Sequence, residues 1–579
     1  MATSPFAKAF AKVSKEAAKK GIEIHLPPET PEWETDPSGV PMMYQAQTSG
    51  RCSLQYAEKS KDLDKWLDQW IDPRQDGQPH YQKPRPVLGV QKDTYRIEVE
   101  FPGRVFSNCG QDSIARPTIG KNGIPFLPGS SVKGLFKRAC KKEQAIQYCG
   151  DASDRDNLKP GHLRFHGAYP IGNWAERIVD LVHPQQDRQV GKPDAESASA
   201  FALISFYKPH FIFEFSSSDS ETNWKEVERI LLQALQLGTG GKTSSGYGLG
   251  GNFPDKPRIN PAAPISVLLK GRGVSSVLRD GTPEFRLNLF KATLRGHTTR
   301  LLGGVSNSEE IVKNSVEDWF GRTDQPARVK VFWQERNPTQ FQDIGLEHRN
   351  PIYQAEVLLY LDLMRRKPSR DGDQQRVEIE YQSDVEFLQQ VIQFAYVMGG
   401  FGKSWRRVWH GDFFPSYQKF AIGCHWQSPD LDEIQTAQQL RQFLETLHQL
   451  CCQRMKVNRA RASDWREAWN PERLAVYTHV GEQSRAIRLF HNDTFKTTPA
   501  IGGRVPHPEH PEKFNPPSNV SSVWHRMLPL QNNQFLEIVT VFHGDRSPWQ
   551  RDRKDQLKPF LDEILHQGFS LRWGSEPEF

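Results

Sequence analysis

In Asp93–Phe101 the apolar residues Tyr95, Ile97, Val99 and Phe101 alternate with polar ones, the period-two pattern of a strand with one buried face. A loop runs to about Leu127. It ends in Pro128-Gly129-Ser130-Ser131, a turn leading into a helix cap. The helix that starts there sets Val132, Leu135, Phe136, Ala139 and Cys140 at helical spacing, with Lys133, Lys137, Arg138, Lys141 and Lys142 on its other face. Phe211, Phe213 and Phe215 mark a later strand. Trp224, Val227, Ile230, Leu231, Ala234 and Leu235 mark a helix that runs into the glycine-rich segment Gly238–Gly248. After Pro264 a similar order returns. A short strand at Ile265–Leu269 leads to a helix opening near Thr293–Arg300, an apolar strand near Ala355–Leu363, and a helix bearing Val385, Leu388, Val391, Ile392 and Ala395. The series ends in the glycine-rich, basic segment Gly399–Arg407. This recurrence constrains the fold more than any other feature. It predicts an α+β chain with two related domains, residues 89–260 and 261–429, between an N-terminal extension (1–88) and a C-terminal one (430–579).

A chain of 579 residues is too long for one ordinary core, and 37% apolar residues suffice for several. The 75 Lys and Arg against 69 Asp and Glu give +6, a mild excess that permits a polyanionic partner without requiring one. No apolar stretch is long enough to span a bilayer, and the N-terminus has no signal-peptide pattern; Phe6, Phe10, Val13 and Ala17 instead mark a short amphipathic helix. Seven cysteines at spacings matching no zinc pattern suit free thiols in a reducing compartment, so a cytoplasmic location is expected. Phe535–Phe542 reads as a strand, either completing the second domain's sheet or belonging to a small C-terminal domain.

The glycine-rich segments carry the chemistry. Gly241-Lys242-Thr243 matches the end of a phosphate-binding P-loop, but the first glycine of that motif is replaced by Gln236 and the loop follows a helix instead of a strand. Nucleotide hydrolysis is therefore not expected. Gly240 and Gly241 would let the backbone approach a ligand, and Lys242 with the hydroxyls of Thr243, Ser244 and Ser245 suits a phosphodiester chain. Tyr247 is placed either to stack on a base or to pack in the core. Ser130, Ser131 and Lys133 sit at a helix start whose dipole favours an anion. Gly134 costs that helix up to about 1 kcal/mol relative to Ala, which close passage of another backbone would explain.

Ile124-Pro125-Phe126-Leu127-Pro128-Gly129-Ser130-Ser131-Val132-Lys133-Gly134 resembles the signature of the RAMP (repeat-associated mysterious protein) superfamily, the backbone subunits of type III CRISPR effectors. Gly238–Gly248 resembles that family's glycine-rich loop, and Gly161–Pro170 its following strand, with Gly167 where the family usually has Asp. In the second half, Leu294-Arg295-Gly296 with Arg300, Trp319-Phe320-Gly321 and Gly399–Arg407 resemble the subunits that cap one end of Cmr-type complexes. The resemblance implies tandem ferredoxin-like (modified RNA-recognition-motif) domains. Its implied partners are CRISPR RNA, single-stranded target RNA and other effector subunits. It adds Lys137, Arg138, Arg295, Arg300, Lys403, Arg406 and Arg407 to the expected RNA contacts. Nuclease members cut target RNA with an Asp in the loop before the signature, and Asp112 stands in that place. A catalytic Asp112 would act on a distorted RNA, with a divalent ion such as Mg2+ or as a base for the ribose 2′-hydroxyl; a turn-forming Asp is the other reading. No tightly bound cofactor and no protein-held metal cluster is expected. Asp280, in Arg279-Asp280-Gly281, reads as a turn. His162, His166, His297 and His410 lie near the expected RNA-facing loops, where a stand-alone ribonuclease processing CRISPR precursor RNA would keep a general acid or base.

Overall fold

The structure is a computed structural model. It divides at Pro84/Arg85, and the described residues all lie in the second unit, Arg85–Phe579. They cover most of 94–579, with internal segments outside the description at 108, 112–113, 117, 119–124, 152–157, 173–177, 184–200, 252–262, 278–281, 287, 323–324, 344–350, 368–372, 415–422, several stretches within 497–520, and 552–553. The expected N-terminal helix, Asp112 and Asp280 fall outside it.

The first sheet joins β1 (Thr94–Glu100), β2 (Leu163–Ile171) and β3 (His210–Ser217) in the antiparallel order β1-β3-β2. The alternation in β1 points Ile97 and Val99 into the core. Helix α1 (Gly129–Ala139) buries Val132, Leu135 and Phe136, and Phe136 meets Phe165 of β2 and Phe215 of β3. Helix α2 (Trp224–Gln236), capped by the Asn223 side chain accepting from Glu226 N–H, buries Val227, Ile230, Leu231, Ala234 and Leu235. Gly251 N–H then donates to Glu100 O at 2.9 Å, bringing the chain back along the other edge of β1. Gly167, where the resembling family has Asp, has φ +109°, and a Cβ there would meet Leu127 O at 2.6 Å; the position admits only glycine.

The second sheet takes β4 (Ile265–Val274), β5 (Val329–Gln342), β6 (Ile352–Leu363) and β7 (Cys424–Gln427) in the order β5-β6-β4-β7, every pair antiparallel. Helices α3 (Asn288–Gly303) and α4 (Glu309–Phe320) follow its first strand, and α5 (Gln374–Met398) its third. After α6 (Ala437–Met455) a third sheet repeats the scheme: β8 (Leu474–Gly481), α7 (Ala486–Phe490), β9 (Val523–Pro529), β10 (Phe535–Phe542), α8 (Leu557–His566) and β11 (Ser570–Gly574). Its order is β9-β10-β8-β11. In both sheets the strands run second, third, first, fourth, with helices after the first and the third. The strand expected at Phe535–Phe542 is present, and it lies in this third sheet, apart from the sheet of β4.

The two four-stranded sheets share a core. Leu474, Val476, Trp524, Leu536, Ile538 and Trp573 belong to the same buried cluster as Leu269, Phe290, Leu294, Trp319, Phe387 and Phe394. Trp469 stacks between Trp524 and Trp573 at 5.2 and 5.8 Å. The other face of the third sheet packs Ala475, Tyr477, Val539 and Val541 against α7 and α8. The first half is tied to the second by a buried bidentate pair, Arg104 to Glu284 at 2.6 and 2.8 Å. No described helix is long and apolar enough to cross a membrane.

Candidate functional site

Helix α1 shows what the signature segment builds. A Cβ on Gly129 would meet Phe165 O at 2.0 Å, so glycine is required for the helix start to sit on β2. Ser130, Ser131, Lys133, Lys137 and Arg138 are all exposed. No side chain caps the helix and its first turn holds no acidic residue, so its positive end is left uncompensated by those groups. A Cβ on Gly134 would meet nothing within 4 Å. The fold itself makes no use of this glycine.

The glycine-rich loop behaves differently from expectation. Its glycines serve the chain's own packing. A Cβ on Gly240 (φ +74°) would meet Phe106 O at 2.1 Å, and one on Gly248 (φ +73°) would meet Thr239 O at 2.0 Å. Gly241 N–H is spent on Phe106 O at 2.7 Å and so is not offered to a ligand. Tyr247 is fully buried with its ring edge-on to Phe106, which removes it as a stacking platform. What the loop presents is side chains. Lys242, in the left-handed conformation (φ 58°), is exposed, and Thr243, Ser244 and Ser245, which form a single 3-10 turn, are half-buried.

This turn sits against the second half. Ser244 Oγ accepts from Lys291 Nζ of α3 at 2.7 Å. Lys291 is buried, and burial, with Arg295 and Lys242 nearby, brings its ammonium down to about 7. Arg295, half-buried, donates to Gly321 O at 2.6 Å. On β5, Lys330 is held below the ordinary lysine range by burial; Asp362 opposes that shift and Arg138 of α1 adds to it. Two groups of cations thus lie within electrostatic reach of each other: Lys242 of the loop with Lys291 and Arg295 of α3, and Arg138 of α1 with Lys330 of β5. Sequence reasoning had passed over Lys291 and Lys330. The signal for Lys291 was its place four residues before Arg295, on the same helix face.

The remaining expected cations divide sharply. Lys403 is exposed on the second glycine-rich loop. Arg300 and Arg406 are buried and converge on the buried carboxylate of Glu467, with Arg300 Nε at 2.7 Å and Arg406 Nε and Nη2 both at 2.8 Å. Arg407 is buried on the carbonyls of Val523 and Ile501, and burial with Arg406 nearby lowers its guanidinium to about 9. Expectation put these three on a surface. They are instead buried and bonded inside the fold.

The histidines divide likewise. His162 and His166 are exposed, paired with Asp219 at 3.2 Å and Ser216 at 2.8 Å. His297 is enclosed by Phe394, Trp405 and Trp524, and burial, then Arg300 and Arg406, hold its imidazole well below the usual range. His410 is similarly buried and depressed, by burial first and then His525, His491 and Arg407. Neither of these two can meet RNA without unfolding its surroundings.

Residues 112–250, from the loop before α1 to the end of the glycine-rich loop, match the RAMP superfamily. No curated protein matches the chain significantly. Among solved structures, apo Cmr1 from Pyrococcus furiosus is similar at a TM-score of 0.33 and 11% identity, over 53% of this chain and 98% of Cmr1. Cmr6 from Pyrococcus furiosus is similar at 0.20 and 16%, over 28% and 97%. A chain of the type III-B Cmr-beta assembly bound to cognate target RNA is similar at 0.22 and 18%, over 28% and 59%. At these scores the structural likenesses carry no functional assignment.

Proposed function

Since residues 112–250 match the RAMP superfamily, we propose that this chain is an RNA-binding subunit of a type III CRISPR effector complex, holding CRISPR RNA and meeting target RNA and neighbouring subunits. The observation that carries this reading is the exposed face of α1. Lys133, Lys137 and Arg138 surround a glycine that the fold does not need, and Arg138 lies within electrostatic reach of Lys330 of β5. Phosphate contacts of this kind position a strand without reading its sequence. In this proposal Ser130, Ser131, Lys133, Lys137, Arg138, Lys242, Thr243, Ser244, Ser245, Arg295 and Lys403 face RNA, while Arg300, Arg406, Arg407 and Tyr247 support the fold. Residues 89–260 and 261–429 are then RAMP domains of ferredoxin-like type. The strand order shared by the second and third sheets supports extending that description to residues 474–574.

Asp112 remains the proposed catalytic group for cutting target RNA, with Mg2+ as the metal supplied. The test is cleavage of complementary RNA by the assembled complex carrying Asp112→Ala; cuts that persist unchanged remove Asp112 from catalysis. The binding proposal is tested by purifying the full chain from cells that express a CRISPR array. An effector subunit brings a guide RNA of defined length and other subunits with it. A chain that purifies alone, free of RNA, but trims precursor RNA is instead a stand-alone processing ribonuclease.

A further inference from the structure

Where the glycine-rich loop meets the second half, Lys291 is a buried cation with no carboxylate bonded to it among the described residues. Arg104 is paired with Glu284, Arg300 and Arg406 with Glu467, and Arg328 with Asp384. Arg407 and Arg526 are held by carbonyl oxygens of the backbone. Lys291 is 8% exposed, and among the described residues its ammonium donates to the Ser244 hydroxyl at 2.7 Å. An ammonium has three donors. The charges that act on it are of its own sign: Arg295 one turn along α3, and Lys242 two residues before Ser244. Burying a cation without a counter-charge is costly, and two further cations raise the cost. A turn that needed only an anchor would be served by a neutral donor.

We propose that Lys291, Ser244, Lys242 and Arg295 together seat one phosphodiester group of a bound RNA strand, at the point where the first glycine-rich loop meets the first helix of the second half. The strand then crosses between the halves at this point. This inference rests on the reading that the loop meets RNA, and adds where one phosphate sits and which residue of the other half holds it. The lowered ammonium of Lys291 accords with a site whose counter-charge arrives with the ligand.

The test is the salt dependence of binding between the full-length chain and a labelled single-stranded RNA. Each phosphate neutralised on a single strand adds about 0.7 to the magnitude of the slope of log K against log salt concentration. Lys291→Met is expected to reduce that magnitude by about 0.7, and Lys291→Arg to preserve it. Lys242→Met combined with Lys291→Met should reduce it by the same single step, because both residues contact one phosphate. Ser244→Asp supplies Lys291 with an internal counter-ion. It should raise the melting temperature and lower the slope by the same step, and it keeps the question open to decision if Lys291→Met misfolds. A wild-type slope in folded Lys291→Met, or in Ser244→Asp, overturns the seat while leaving RNA binding intact. A wild-type chain that binds no RNA overturns both.

Discussion

Glu467 fixes the role of three arginines. Burial alone would raise its carboxyl, but Arg406, Arg300 and Arg466 hold it at about 2. Glu467→Gln leaves those guanidinium groups buried without their charge partner, and should destabilise the protein by about 3–5 kcal/mol in denaturant unfolding. The pH dependence has a definite sign. A carboxyl held lower in the folded state stabilises the fold fully above its unfolded value near 4.5, and that contribution fades as pH falls from there toward about 2. Wild-type protein should therefore lose stability between pH 5 and pH 3, by ~2 kcal/mol from this group, and Glu467→Gln should lack that component. The same residue explains a misreading. Arg300 and Arg406 beside glycines look like surface groups because the carboxylate that claims them lies 167 and 61 residues away, beyond the reach of any local pattern. Lys133, Lys137 and Arg138 were legible because an amphipathic helix declares its wet face through its own spacing.

Among the elements, α1 offers the cleanest separation of stability from function. Gly134→Ala fills open space on an exposed helix and should stabilise it by about 0.5–1 kcal/mol, read from thermal unfolding. If an RNA backbone passes over that point, the same change weakens RNA binding, an opposite response that no folding defect imitates. Gly167→Ala should do the reverse, costing at least ~1 kcal/mol, because its φ of +109° and the approach of Leu127 O leave a methyl no room. Elements whose faces differ were readable. In β1, Ile97 and Val99 alternate with exposed neighbours. The third sheet was not, since it is covered on both sides. In β8, Leu474 and Val476 enter one core and Ala475 and Tyr477 the other, so no polar residue interrupts the run to mark its period. Only β10, with its β-branched run, stood out.

At the scale of the whole molecule, the second and third sheets stand or fall together. Removing residues 474–579 strips Leu474, Val476, Trp524, Leu536, Ile538 and Trp573 from the cluster they share with the second sheet. A chain ending before Leu474 should therefore be insoluble or protease-sensitive throughout residues 263–473. In the intact protein, hydrogen exchange should show the two sheets opening as one cooperative unit. The shared core also orders events during synthesis. The second sheet leaves the ribosome first, and its open face cannot be covered until the last strand, β11, has been made. At ordinary elongation rates of roughly 5–20 residues per second, that wait is on the order of ten seconds. For that interval the nascent chain exposes the apolar surface around Phe394 that later meets Trp524, a natural client for holding chaperones and the stage at which this protein is most prone to aggregate.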